Sequence, residues 1–196
     1  MSNGFYNVPK AKNEVVKSYK KNSSELNELI KEYKNLYKQH IDIPMYIGQE
    51  KVYTKDKRSI TLPHNHKHSI GTSNYGGEIE VKDAIKAAME ARKKWSAMKW
   101  EDRASIFLKA ADLLAGPYRA KMNAATMLCQ SKNVYQAEID AACELIDFFR
   151  FNVQYMSQIY KEQPESLPGV WNRLEHRPLE GFIFAITPFN FTSICA

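Results

Sequence analysis

The sequence predicts an α/β chain that is mostly helical over its length and carries a small antiparallel strand set. Three observations predict it. Helical apolar patterns recur through 26–37, 81–95, 102–114, 118–129 and 135–160. Short β-rich segments separated by turn signals lie between Pro44 and Leu62. Near the end, Phe182, Ile183, Phe184, Ala185 and Ile186 form an apolar run without period-two alternation. Such a run marks a strand buried on both faces, as in a parallel sheet.

Residues 1–22 are polar and lysine-rich and read as a loosely held arm. Ser23 or Ser24 can cap the first helix, whose stripe is Leu26, Leu29, Ile30, Tyr33, Leu36 and Tyr37. After Pro44 come Met45-Tyr46-Ile47, Val52-Tyr53-Thr54 and Ser59-Ile60-Thr61-Leu62, with Gly48 and Asp56-Lys57 as turns; these fit short antiparallel strands. Val81, Ala84, Ile85, Ala88 and Met89 make the next helical stripe, and Trp95 extends it loosely. A helix over 102–114 is stopped by Gly116-Pro117, and an Ala-rich one follows over 118–129. Beyond the polar turn Ser131-Lys132-Asn133, one long helix is expected over 135–160, carried by Ile139, Ala142, Cys143, Ile146, Phe149, Val153, Met156 and Tyr160. Pro164 and Pro168-Gly169 break that pattern, and 170–177 alternates polar and apolar residues as an extended segment. Pro188 ends the apolar run, because it cannot donate to a ladder. The expected organisation is an arm (1–22), helices and short strands (23–160), a second arm (161–177), and a buried strand with the motif after it (178–196).

At 196 residues, 44% hydrophobic and 26% charged, the chain can bury the core of one globular domain. The net charge of +6 is uneven: 1–100 carry 19 Lys/Arg against 11 Asp/Glu, and 101–196 carry 9 against 11. The bases are interleaved with acids rather than clustered, which argues against a nucleic-acid footprint. Cys129, Cys143 and Cys195 share no metal-ligand spacing and are too few for a disulfide framework, which favours a reducing compartment. No apolar run approaches the roughly 18 residues of a membrane span, so no membrane partner is expected. The start of the chain lacks the apolar stretch of a signal peptide, and its Lys-rich, Arg-free composition lends a mitochondrial transit peptide little support. A cytoplasmic placement is the simplest expectation, with the mitochondrial matrix as the alternative in a eukaryote. His64, His66 and His68 could share a strand face and suggest zinc, but no fourth ligand is near in sequence and no metal is expected.

Asn190 stands just past the carboxyl end of the apolar run, where open α/β sheets bind ligands. A side-chain amide fixed there can donate to a developing oxyanion; on chemistry alone, capping the turn after the strand is an equal reading. The stretch EGFIFAITPFNFT (180–192) resembles the oxyanion-hole strand of the aldehyde dehydrogenase superfamily. QAEIDAACELIDFFRFN (136–152), DRASIFLKAADLLAGP (102–117) and PHNHKH (63–68) are similar to its 1-pyrroline-5-carboxylate (L-glutamate γ-semialdehyde) dehydrogenase branch, and the likeness runs from about residue 26 onward.

This resemblance implies the N-terminal part of a Rossmann-like NAD-binding domain, with NAD as cofactor. The implied reaction is oxidation of the small-molecule semialdehyde to L-glutamate in proline degradation. It makes Asn190 the oxyanion donor and sets Ile186, Thr187, Pro188 and Phe189 beside the nicotinamide half of NAD. Phe191 is implied to pack against the aldehyde. Glu138 is implied to lie near the substrate, whose ammonium suits a carboxylate. Residue chemistry leaves core packing open for Ile186 and Phe191, and a solvated or paired helix position open for Glu138. Family members commonly carry Trp where Phe189 stands; Phe is usual in this branch. The resemblance also implies that the adenine-ribose lysine, the Gly-rich turn, the general-base Glu and the nucleophilic Cys follow Ala196, so that residues 1–196 alone are expected to be inactive. Cys195 does not match that nucleophile, and Cys129 and Cys143 read as core. Residues 164–177 resemble the arm used for subunit contacts, implying a homodimer or higher oligomer. Two other readings stay open: a non-catalytic interaction protein ending at Ala196, and an aldehyde dehydrogenase for another substrate. The 182–186 run lacks a parallel partner of its own kind in the chain, so residues 1–196 by themselves are expected to fold poorly.

Overall fold

The computed structural model describes residues 7–194. Helix α1 (Ser24–Lys38) begins where Ser23 Oγ accepts the Leu26 amide at 3.3 Å, satisfying one of the free donors of its first turn. Its Leu29 and Leu36 are buried against Leu62, Ala124 and Leu128, which joins α1 to α4 (Arg119–Gln130) and to the sheet.

The strand set is larger than expected. Strands β1 (Ile41–Ile43), β5 (Asn65–Asn74) and β4 (Lys57–Leu62) form one sheet in that order, while β2 (Met45–Ile47) and β3 (Glu50–Val52) form a separate hairpin. The β2–β3 and β4–β5 pairs are antiparallel as expected, but β1 runs parallel to β5. Strand β5 escapes a hydrophobicity reading because it alternates small polar and histidine side chains rather than apolar ones. Gly71 sits where β5 passes Ile41: a Cβ there would lie 2.0 Å from the Ile41 carbonyl oxygen, so no other residue fits this approach.

Helix α2 (Glu78–Ala97) opens with Glu80 Oε2 accepting the Gly77 amide at 2.7 Å, yet none of its residues is buried despite the Val81-to-Met89 stripe. Helix α3 (Trp100–Ala115) stops at Gly116 and packs on α6 (Glu144–Lys161), where Ala111, Leu114, Ala142, Leu145 and Ile146 form a second core. The long helix expected over 135–160 is divided. A single turn, α5 (Val134–Ala137), leads into a π-helical segment, Glu138–Cys143, and only then into α6. Hydrophobic rhythm does not reveal this widening, because the extra residue shifts the face within one turn. Such π segments concentrate at functional sites.

The N-terminal arm also departs from its expected form: from residue 7 on it is tied down rather than loose. The Ala11 amide donates to Gln154 Oε1 (2.7 Å), that of Glu14 to Asp147 Oδ1 (2.6 Å) and that of Lys17 to Glu138 Oε1 (2.8 Å). Tyr19 is buried, and its hydroxyl donates to Glu138 Oε2 at 2.7 Å. Its φ of 48° lies in the left-handed region that aromatic residues seldom enter, a cost that the buried ring and hydroxyl together offset. Polar composition suggested solvation, but these polar groups are partners of buried charges. Residues 182–186, for which the sequence offers no parallel partner, join no strand among the described residues: Ile183, Phe184 and Ile186 are 80%, 79% and 83% exposed. A strand buried on both faces needs neighbours on each edge and layers on each face, and residues 7–194 supply none of these to it.

Arg119 is the hub of the arm contact: it donates to both oxygens of Glu138, to Glu14 Oε1 (2.6 Å) and to the Val15 carbonyl (2.7 Å). Arg119→Ala leaves Glu138 charged, buried and unpaired, and is expected to destabilise the protein by about 3–5 kcal/mol. Chemical denaturation together with earlier protease cleavage within 7–22 measures it.

Candidate functional site

The site is the turn 189–193, seated on the corner where α4 gives way to α5 and the π segment. Local capping builds that corner. Ser131 ends α4 with a left-handed φ of 54°. Asn133 and Gln136 then close a capping box, each side-chain oxygen accepting the other's amide at 3.0 Å. Lys132, trapped between these two caps, points at the turn. Its Nζ donates to the Asn190 carbonyl at 3.0 Å and to Asp140 Oδ2 at 2.8 Å, and lies 4.6 Å from the centre of the Phe191 ring. Gln130 Nε2 donates to the Phe189 carbonyl (3.2 Å), and the Thr126 and Thr192 hydroxyls are 2.9 Å apart. Buried Ser193 donates to the Ala141 carbonyl inside the π segment at 2.9 Å. The turn is therefore held by the carbonyls of Phe189 and Asn190 and by the side chains of Phe191, Thr192 and Ser193.

The residues expected to act fall into two groups. Asn190 is exposed; its carbonyl is held, and its side-chain amide makes no hydrogen bond among the described residues. It lines neither of two hollows, one between α2 and 176–183 and one between α3 and α6, although Ile194 lines the second. Ile186, Thr187, Pro188 and Phe189 are likewise exposed, and Phe191 is half-buried beneath Lys132. Residues 186–189 suit one edge of a flat, partly polar ring such as nicotinamide. Ile186 and Phe189 offer apolar surface on either side of Thr187, whose hydroxyl has no partner among the described residues.

Glu138 lies apart from that turn, inside the bundle. It is 0% exposed on the same π segment, but its carboxylate faces the arm. One oxygen accepts from the Lys17 amide and Arg119, and the other from Tyr19, Arg119 and Asn123 Nδ2 (2.7 Å). No lone pair is left for a substrate ammonium. The sequence did hold a signal for this: Glu138 precedes Ala142, Leu145 and Ile146 by four, seven and eight residues, so it shares their buried stripe. Lys132, Gln130 and Arg119 are the residues sequence reasoning missed. Only the two caps flanking Lys132 foreshadowed its place.

Burial alone would raise the Glu138 pKa; Arg119, the Lys17 amide, Tyr19 and Asn123 outweigh burial and hold it below the usual carboxylate range. Glu14 is lowered too, with burial outweighed by Arg150 and Arg119. Burial, then the Glu138 charge, pushes the Cys143 thiol up to about 12. Cys143 is buried as expected, whereas Cys129 is exposed rather than core; Cys195 lies outside the described residues. Two of the three clustered histidines have partners. His64 Nδ1 meets Ser131 Oγ at 2.7 Å, while His68 Nε2 meets the Tyr37 carbonyl at 2.7 Å and stacks on the Tyr37 ring. Among the described residues no three His, Cys, Asp or Glu side chains converge as metal ligands, and no helix is long and apolar enough to cross a membrane.

Comparison with known proteins agrees with the architecture. Residues 52–196 match the aldehyde dehydrogenase family, and the chain belongs to that family. Its α/β fold, mostly helical with small sheets, is that of the matching part of pyrroline-5-carboxylate dehydrogenase structures. It superposes with a TM-score of 0.96 and 48% identity on the Δ-pyrroline-5-carboxylate dehydrogenase of Mycobacterium tuberculosis, solved bound with NAD and cobalamin, covering 99% of this chain and 37% of that one. It is 47% identical over 191 residues to a probable Δ1-pyrroline-5-carboxylate dehydrogenase of Schizosaccharomyces pombe, covering 96% of this chain and 35% of that protein. The mitochondrial Δ1-pyrroline-5-carboxylate dehydrogenase of Homo sapiens is 46% identical over 185 residues, covering 94% and 33%. The chain thus spans about a third of the length of the curated relatives it matches.

Because the folded Glu14 and Glu138 titrate below their unfolded values, their contribution is complete above the ordinary carboxylate range and is lost as pH falls through the lowered folded values. The melting temperature is expected to drop steeply on that acid side. Glu138→Gln is expected to melt lower at neutral pH and to show a shallower acid slope. Cys143 is expected to resist iodoacetamide at pH 8 in the folded protein and to react once denatured, as peptide mapping would read.

Proposed function

We propose that this chain contributes the oxyanion donor of an NAD-dependent dehydrogenase that oxidises L-glutamate γ-semialdehyde, formed from 1-pyrroline-5-carboxylate, to L-glutamate in proline degradation. The observation that carries this reading is the division of labour at residue 190. The carbonyl is anchored by Lys132, while the side-chain amide has no partner among the described residues and stays available as a donor. When a thiolate adds to an aldehyde carbon, the carbonyl oxygen gains negative charge. A donor already held in place stabilises that charge without reorganising at the moment of reaction. Asn190 takes this role. Phe191, fixed beneath Lys132, offers a ring face to the aliphatic part of the aldehyde. Ile186, Thr187, Pro188 and Phe189 form the edge along which the nicotinamide of NAD lies; NAD, when bound, supplies the hydride acceptor. The names of the relatives support the semialdehyde as substrate, and an aldehyde panel separates it from other aldehydes.

The 161–177 segment serves subunit contact in this reading. Leu167, Trp171 and Leu174 are exposed, with Trp171 at 83%, while internal bonds such as Asn172 Nδ2 to the Glu165 carbonyl (2.7 Å) give the segment a shape of its own. A homodimer or larger homo-oligomer follows. The free thiols of Cys129 and Cys143 suit a reducing compartment, either the cytoplasm or the mitochondrial matrix, and the human relative is named as mitochondrial.

In the full-length protein, Asn190→Ala is expected to lower turnover of the semialdehyde about 100- to 1000-fold. Its melting temperature should hardly move, since the amide is exposed and unbonded among the described residues. Steady-state NADH formation beside a thermal melt checks both; near-normal turnover would remove the assigned role.

A further inference from the structure

We propose that Lys132 is a positioning residue for Asn190, acting through the backbone of the 189–191 turn; this rests on the reading of Asn190 as the oxyanion donor. A surface lysine ordinarily waves a solvated ammonium on a flexible stem. Lys132 instead has a side chain only 17% exposed and commits its ammonium in three directions. It donates to the Asn190 carbonyl (3.0 Å), pairs with Asp140 (2.8 Å) and rests on the Phe191 ring (4.6 Å). The two residues flanking the donor and the donor itself are therefore gripped by adjacent side chains, Gln130 on the Phe189 carbonyl and Lys132 on Asn190 and Phe191.

The geometry explains why the grip matters. Holding the carbonyl of residue 190 limits rotation of its peptide plane, and so the direction of its Cα–Cβ bond and of the amide beyond. Asp140 makes the grip firm, because it anchors the ammonium to the π segment, which also accepts Ser193 through the Ala141 carbonyl and is fixed internally by Glu138. A neutral donor could reach the carbonyl but could not pair with Asp140. Nothing in this arrangement brings Lys132 to the substrate, so it is not a catalytic residue. A displacement of the amide by about 1 Å is enough to cost roughly 100-fold in rate.

The experiment is a double-mutant cycle in the full-length enzyme with NAD and the semialdehyde. Lys132→Ala is expected to lower kcat about 10- to 100-fold while KM stays within roughly threefold, and Lys132→Arg, which keeps the charge, to recover most of the loss. In an Asn190→Ala background, adding Lys132→Ala is expected to change kcat by less than about twofold, because the group it positions is gone. Should Lys132→Ala fail to fold, Lys132→Met takes its place, keeping the stem over Phe191 and removing the charge. Losses that multiply in the double variant, or normal turnover in Lys132→Ala, overturn the positioning role and leave Asn190 as donor. Normal turnover in Asn190→Ala overturns the reading of Asn190, and the positioning role falls with it.

Discussion

Glu138 has no exposed surface, and a carboxylate stays ionised there only if the surrounding groups replace its hydration. Arg119 and Asn123 from α4, together with Tyr19 and the Lys17 amide from the arm, do so. Each partner is held by the same charge in return. The arm crosses the bundle where its amide and hydroxyl can reach the carboxylate, and α4 is oriented so that its first residue, Arg119, can do the same. Replacing such a cluster with apolar groups need not lower stability. What the cluster supplies is a single arrangement: with one charge at one depth, the arm cannot slide and the π segment cannot rewind without leaving that charge bare.

That constraint propagates to the functional corner. The π segment begins at Glu138 and ends at Cys143, and between them it presents the Ala141 carbonyl to Ser193 and Asp140 to Lys132. The turn bearing Asn190 is thus fastened to an element that is itself fastened internally. A loop carrying an exposed donor needs such a scaffold, since its own residues contribute little burial. The apolar stretch before it, from Phe182 to Ile186, stays uncovered by residues 7–194.

Much of this was legible in advance. Ser23 and Gly116 mark helix ends, the stripe from Leu26 to Tyr37 marks α1, and the order of residues from Glu180 to Thr192 carries the family likeness. Each is a local signal, set by hydrogen bonds and periodicities within a few residues. The errors are equally particular. The arm reads as loose because Glu14, Lys17 and Tyr19 look solvated when taken one at a time. Strand β5 gives no strand signal because its small polar residues lack apolar alternation. Glu138 shares the stripe of Ala142 and Ile146, which marks it as buried but does not say which groups meet its charge.

Residue order and short-range bonding are enough for α1 to α4, for the Ser23 cap and for the likeness to the aldehyde dehydrogenase family. Only the tertiary structure decided where the charges go: the Glu138 carboxylate into the bundle, Lys132 onto the Asn190 carbonyl, and β1 parallel beside β5. The groups that meet around Glu138 and Arg119 lie 121, 119 and 105 residues apart along the chain. No window of sequence contains both ends of such a contact, and only packing brings them within reach.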